Sequence, residues 1–244
     1  MIPRAVAVVR SIVTYSAILA YIAVAGPLAL LFGLVFRWKG GMYVLGHGGV
    51  RLGLGLAGIR YRVSGHEHLP GGAVVFCANH ESNVDPAILF EALHPRLHAL
   101  YKAELHKFPV MGAVFDVGGF VPITRGDRQK AIAALERGVE SLRSGNSFLI
   151  FPEGTRSRTG DLLPFKKGGI IMALQAKAPI LPVAISGGRA AMEKGSAIVR
   201  PVRVSVRIGR PIETADVDWA DRHALVDRVR LSVGALREQG SLWA

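Results

Sequence analysis

Residues 73–86 read Ala-Val-Val-Phe-Cys-Ala-Asn-His-Glu-Ser-Asn-Val-Asp-Pro. Ala73–Ala78 is a short, wholly apolar run, as expected of a strand buried on both faces. Asp85-Pro86 reads as a helix start, with aspartate as N-cap and proline at the first helical position. The helix would cover Ala87–Leu93. A polar loop, Asn79–Asp85, joins the two. Strand, polar loop and helix in this order make one repeat unit of an α/β fold.

The pattern continues outward. Leu97–Tyr101 reads as a strand. Asp127–Leu142 has apolar residues at Ile132, Leu135, Val139 and Leu142, which is helical spacing, and Gly145 closes it. Ser147–Phe151 is a second buried strand. Gly169–Lys177 is a helix and Ile180–Ile185 a strand despite Pro182. Val202–Ile208 alternates strictly, with Arg203, Ser205 and Arg207 on the polar side, and is predicted to be half exposed. Trp219–Gln239 is an amphipathic helix with Leu225, Val226, Val229, Val233 and Leu236 on one side. Alternating elements predict a mostly parallel sheet flanked by helices. Ligands of such sheets lie beyond the carboxyl ends of the strands. The loops Asn79–Asp85 and Pro152–Ser157 are therefore predicted to meet at one sheet edge.

The amino-terminal part is of another kind. The 244 residues carry a net charge of +12. Of this, +7 lies in the first 66 residues (Arg4, Arg10, Arg37, Lys39, Arg51, Arg60, Arg62), which contain no Asp or Glu. Ser11–Phe36 has no formal charge at all and exceeds the roughly 20 residues a bilayer-spanning helix needs. The run is longer than a signal-peptide core, and no small-residue cleavage site follows it before Arg37 and Lys39. Gly26-Pro27 is predicted to kink it. A second, glycine-rich apolar stretch covers Gly40–Ile59. Two readings stand: a transmembrane helix, or a helical pair dipped into one leaflet with arginines at the phosphate layer. The kink and the balanced flanking charges favour the second. A buried soluble hairpin fits poorly, because the run is apolar on all faces. Residues 1–60 thus read as a basic membrane-anchoring helical pair and 61–244 as the α/β domain.

Composition narrows the function. Half the residues are hydrophobic and mean hydropathy is +0.32, which excludes a disordered chain and leaves room for a couple of membrane segments at most. The single cysteine, Cys77, excludes an intramolecular disulfide framework and a cysteine-only zinc site; placed mid-strand, it reads as a buried, inert thiol. The remaining histidines show no metal-ligand spacing. The basic balance points to an anionic partner. No nucleic-acid-binding motif accompanies it, and the charges gather around the apolar anchor.

Three clusters carry chemistry. His80 and Asp85 are five apart, about 140° on a helix, so they meet only if His80 lies on the loop and Asp85 at the helix start. The carboxylate could then hold one imidazole nitrogen and leave the other as a base. A loop histidine beside a capping aspartate, without chemistry, has the same spacing. In Phe151-Pro152-Glu153-Gly154-Thr155-Arg156-Ser157 a carboxylate and a guanidinium share a glycine turn. Arginine binds phosphate through parallel hydrogen bonds; a structural Glu–Arg pair would look the same. Gly119-Phe120-Val121-Pro122-Ile123-Thr124-Arg125 puts an arginine after an apolar run. Lys102 and Lys166-Lys167 add cations. Arg125, Arg156 and Lys102 would form a phosphate pocket if they converge. Arg203 and Arg207 read as a solvated strand face more readily than as a lipid contact.

In order, Asn79–Asp85, Gly119–Arg125, Phe151–Ser157 and the proline-containing strand Pro179–Gly187 resemble the four motifs of the 1-acylglycerol-3-phosphate O-acyltransferase (lysophosphatidic acid acyltransferase) family. The resemblance covers about residues 60–210. It implies that His80 is a general base taking the proton from a lysophospholipid hydroxyl, and that Asp85 orients it. It implies an acyl thioester donor, acyl-CoA or acyl carrier protein, no covalent acyl-enzyme, and no metal or cofactor. Arg125 and Arg156 would hold the acceptor phosphate. Glu153, Gly154 and Thr155 would shape the acceptor pocket, and Lys102 resembles a further phosphate contact. Thr124 departs from the family, where aspartate is common before the arginine. The product would be phosphatidic acid, with membrane lipids as surroundings and the cytoplasmic face of a bacterial inner membrane as location. Other acceptors (glycerol 3-phosphate, another lysophospholipid, a lyso-aminolipid) fit the same motifs. A non-catalytic membrane-binding module is the different-class alternative.

Overall fold

The computed structural model describes residues 2–93, 97–124, 126–193 and 195–243. Arg4–Leu30 is α1, and Lys39–Ala57 is α2. The strands are β1 (Arg60–Ser64), β2 (Val75–Ala78), β3 (Leu97–Lys102), β4 (Val121–Ile123), β5 (Ser147–Ile150), β6 (Ile180–Ser186) and β7 (Arg203–Ile208). The further helices are α3 (Asp85–Leu93), α4 (Pro109–Gly118), α5 (Arg128–Arg143), α6 (Gly168–Ala176) and α7 (Arg222–Glu238).

The strands form one sheet in the order β1-β7-β6-β2-β5-β3-β4. Every pairing is parallel except β6 with β7, as the alternating pattern predicts. β2 lies between β5 and β6, with Phe76 opposite Leu149 and Leu181. Its four residues are all buried. Successive side chains leave opposite faces: Phe76 and Ala78 join Leu54, Ile88 and Leu89 on one side, while Val75 and Cys77 join Ile170, Met172 and Val229 on the other. Helices thus cover both faces of β2, so the sequence there is continuously apolar rather than alternating.

Pro182 occupies an interior strand, where a missing N–H normally costs a ladder bond. Here β7 pairing stops at Val183↔Ile208 and resumes only at the bridge Ile180↔Ile212. The Pro182 carbonyl accepts from the N–H of Gly209 in that gap, so the proline ring faces the place where the ladder is already interrupted. On β7, Ser205 is buried rather than exposed, because the C-terminal tail crosses it and Leu242 N–H donates to its Oγ at 2.9 Å.

Pro27, where the sequence predicts a kink, lies inside a helix that continues past it. α1 runs through it to Leu30 and widens into a π-helical turn, Leu31–Val35. Proline costs the carbonyl of Ala23 its partner, and the wider turn just beyond lies where such a defect is commonly absorbed. The chain reverses only at Arg37, which has φ 50°. α1 buries small residues (Ala7, Ser11, Ala25, Gly26, Ala29) and exposes large ones: Ile12, Leu19 and Val24 are each at least 60% accessible. A water-soluble helix has the reverse arrangement. This outward apolar surface marks the helix for a membrane environment.

Candidate active site

β2 and β5 are parallel neighbours, so the loops that follow them leave the same sheet edge, and main-chain bonds join them. Ser157 N–H donates to the His80 carbonyl at 2.9 Å. His80 N–H donates to Glu153 Oε1 at 2.7 Å, and Leu163 N–H donates to Glu153 Oε2 at 3.0 Å. Both oxygens of Glu153 are thus spent on backbone, and the side chain is buried. Glu153 is a strut between two loops. The predicted meeting of the loops is observed.

His80 Nδ1 lies 2.9 Å from Asp85 Oδ2. The same oxygen accepts the N–H groups of Glu81 and Ser82, each at 2.7 Å. Asp85 was expected to cap α3 as its N-cap. Instead it is the first helical residue, and its carboxylate reaches back to bind the loop behind it. That inverted use curls 80–82 around the carboxylate and brings His80 to it. Asp85 is fully buried and His80 keeps 15% of its side-chain surface. With Nδ1–H donating to Asp85, the free lone pair is at Nε2. The ring stacks on Phe151, centroids 4.2 Å apart. The imidazole is therefore fixed by a carboxylate at its edge and an aromatic ring on its face.

Asn79 locks the loop to the sheet. Its amide donates to the Ile185 carbonyl at 2.9 Å, and its oxygen accepts from Ile185 N–H at 2.8 Å. Ser82 Oγ donates to the Met192 carbonyl. Gly188 closes over Asp85: a Cβ there would stand 2.7 Å from Asp85 Oδ1. Gly154, at φ +66°, turns the second loop so closely under Lys166 that a Cβ would meet its Nζ at 2.9 Å. Lys166, one of the cations named from the sequence, thereby lies against the turn. Thr155 and Arg156 follow on the same turn. Lys102 ends β3 at the same sheet edge but pairs with Glu104 at 3.2 Å. Arg125 lies outside the described residues. Thr124 lines an open recess of about 820 Å³ with Ala103, His106 and Lys130, which contains no residue of the two loops.

Burial and like charge shape the electrostatics. Glu81 is pushed up to about 7 by burial and by Asp85, against the pull of Arg237. Glu153 is raised by burial, which the N–H donors of His80 and Leu163 oppose. Burial, then the Glu153 charge, raises the Cys77 thiol, so it is inert as expected. Arg203 and Arg207 meet protein: the first lies over the Trp243 ring, and the second donates to the carbonyls of Gln239 and Gly240.

The chain is an α/β protein in which a carboxylate-held histidine stands at the carboxyl edge of a mostly parallel sheet, an arrangement with the geometry of the base–orienter half of a triad. The family model described as Acyltransferase matches residues 60–186, more than half of the chain, and the chain belongs to that family. A 1-acyl-sn-glycerol-3-phosphate acyltransferase of Limnanthes douglasii is 35% identical over 160 residues, 65% of this chain and 57% of that protein. One from Saccharomyces cerevisiae is 32% identical over 76% of this chain and 62% of its own length, and one from Borreliella burgdorferi 37% identical over 56% and 55%. The chain spans about 57% of the length of the Limnanthes relative. The crystal structure of the 1-acyl-sn-glycerophosphate (LPA) acyltransferase PlsC of Thermotoga maritima has the same fold, with a TM-score of 0.81 over 96% of this chain and 97% of that one, at 24% identity.

Proposed function

We propose that the protein transfers a fatty acyl chain from a thioester to the free hydroxyl of 1-acylglycerol 3-phosphate, forming phosphatidic acid. The observation that carries this is the 2.9 Å contact of His80 Nδ1 with the buried Asp85 carboxylate, which leaves Nε2 as the basic atom.

His80 Nε2 takes the proton of the acceptor hydroxyl as its oxygen attacks the thioester carbonyl. Asp85 holds the tautomer and stabilises the imidazolium. The tetrahedral intermediate collapses, the C–S bond breaks, and the leaving sulfur takes the proton back from His80. The acyl group goes directly to the acceptor. Arg156 and Arg125 bind the acceptor phosphate, with Lys166 beside the turn and Lys102 at the same sheet edge adding positive field. Glu153, Gly154 and Thr155 shape the acceptor pocket. The donor is acyl-CoA or acyl carrier protein, both anionic and suited to a basic surface.

Residues 1–60 anchor the chain and 61–244 hold the chemistry. The outward Val, Ile and Leu of α1 enter one leaflet, and neighbouring Arg and Lys side chains meet anionic headgroups, each contributing about 1 kcal/mol near the surface. The location is the cytoplasmic face of a bacterial inner membrane. The test is thiol release from acyl-CoA by detergent-purified protein, with 1-acylglycerol 3-phosphate, glycerol 3-phosphate or a larger-headgroup lysophospholipid as acceptor. Release that depends on 1-acylglycerol 3-phosphate supports the assignment. Release without any acceptor would indicate a thioesterase, and preference for another acceptor would revise the substrate.

A further inference from the structure

Behind His80 three acidic residues share one buried volume: Glu81, Asp85 and Glu153 are each less than 10% accessible. Such a group needs a counter-charge. Arg237, in the last turn of α7 and outside the residues matched by the family model, supplies one. Its Nη2 donates to Glu81 Oε1 at 3.2 Å, and also to the carbonyl of Gly160. Glu81 belongs to the His80 loop and Gly160 to the loop after β5. One guanidinium therefore joins both loops of the site from a third element. The rest of α7 supports the same contact: Arg230 donates to the Leu162 carbonyl at 3.3 Å, and Gly234 lies against the Leu162 side chain. Residues 230, 234 and 237 lie on one helix face, laid along the segment that contains Gly160 and Leu162.

We propose that Arg237 is a positioning residue for the acyl-transfer site, acting through Glu81 and the Gly160 carbonyl to hold the two loops in register. This rests on the function proposed above. The charged groups facing Glu81 are Asp85 and His80 from its own loop, Glu153 from the loop after β5, and Arg237 from α7. Arg189 donates to the Thr159 carbonyl of the second loop, and Lys166 lies against Gly154. Loss of packing alone would loosen α7 itself, whereas loss of this contact loosens the two loops that it joins.

The experiment measures transfer rates in detergent and, in parallel, amide hydrogen exchange of the two loops. Arg237→Met is expected to raise exchange several-fold at 80–82 and 157–163 while the central strands keep their protection. In the rate assay it lowers kcat about tenfold with little change in KM. Glu81→Gln, which weakens the same contact from the other side, changes both readouts in the same sense, and the double variant adds little to Arg237→Met. Arg237→Lys keeps a cation in place and restores part of kcat. It also keeps the test open should Arg237→Met fail to fold. Unchanged exchange in both loops, or fully additive losses in the double variant, would overturn the proposal. The exchange measurement needs no turnover, so an inactive parent would overturn the assigned reaction without touching this result.

Discussion

Ser157 N–H donates to the carbonyl of His80 at 2.9 Å, so the loop after β5 is fastened to the loop after β2 at the residue that carries the base. The bond is main chain to main chain, and Glu153 repeats it one step away by accepting His80 N–H at 2.7 Å. The site is therefore one unit built from two loops.

Glu153→Gln tests that unit. The carboxylate accepts one N–H on each oxygen, from His80 and from Leu163. Glutamine can satisfy one of them and must point its own NH₂ at the other. The expected cost is about 1–3 kcal/mol, read as a lower midpoint in a thermal scan, together with a fall in kcat. An unchanged midpoint would show that the strut carries no load.

Asp85→Asn keeps the shape but removes the charge that holds Nδ1–H. The tautomer is no longer enforced, and the rate is expected to fall by about 10²–10⁴ while the folded state persists by circular dichroism. Steady-state rates comparable to those of the parent would remove Asp85 from the mechanism.

Gly188→Ala pushes a methyl to 2.7 Å from Asp85 Oδ1. The neighbouring atom is a fully buried carboxylate already bound to His80 and to two backbone N–H groups, so it cannot swing aside freely. Overpacking of this kind costs about 1–3 kcal/mol, and a loss of kcat larger than any change in acceptor KM is expected. Equal kcat in the two proteins would mean that Asp85 has room to move.

His98 governs a pH effect remote from the chemistry. It is buried on β3, edge-on to Phe148 at 5.4 Å and hydrogen-bonded to Ser141 at 3.3 Å. Burial, with Lys39 nearby, lowers it to about 4 from its ordinary 6.5. Between those values the unfolded chain binds a proton that the folded chain refuses, so stability falls as pH drops from 6.5 towards 4 and is fully held above 6.5. His98→Gln is expected to flatten that part of the curve of denaturation midpoint against pH. An unchanged slope would assign the acid sensitivity to other groups.

The membrane reading predicts that Leu19→Lys with Val24→Lys reduces co-sedimentation with anionic vesicles and leaves the α/β domain folded. Both side chains point away from the protein, at 68% and 67% accessible. Equal sedimentation would place the lipid contact elsewhere.

What was legible in the sequence follows from burial. β2 and β5 stand out because both faces are covered, so Ala73–Ala78 and Ser147–Phe151 are apolar without interruption. β1 was missed because it is the sheet edge, and Arg60-Tyr61-Arg62-Val63-Ser64 is dominated by charge. α4 was missed between loops, since Pro109–Gly118 has glycines at both Gly112 and Gly118 and no polar face. The antiparallel turn from β6 to β7 was not visible either, because direction depends on whether the connection contains a helix, and the described residues of 187–202 contain none. For His80 and Asp85 the spacing showed that they meet only if the chain turns, and the motif resemblance chose that reading. Arg237 could not be placed in this way: an arginine in the last turn of an amphipathic helix is usually solvated, and nothing in the spacing ties it to Glu81, which is remote in sequence.

The most direct test of the central claim is acceptor-dependent acyl transfer by His80→Ala beside the parent, in detergent, with acyl-CoA and 1-acylglycerol 3-phosphate. The predicted result is phosphatidic acid from the parent and at least about a 10²-fold lower rate from the variant, with an unchanged thermal midpoint. Transfer at the parental rate by His80→Ala would contradict the account, since the proton of the acceptor hydroxyl would then leave by another route.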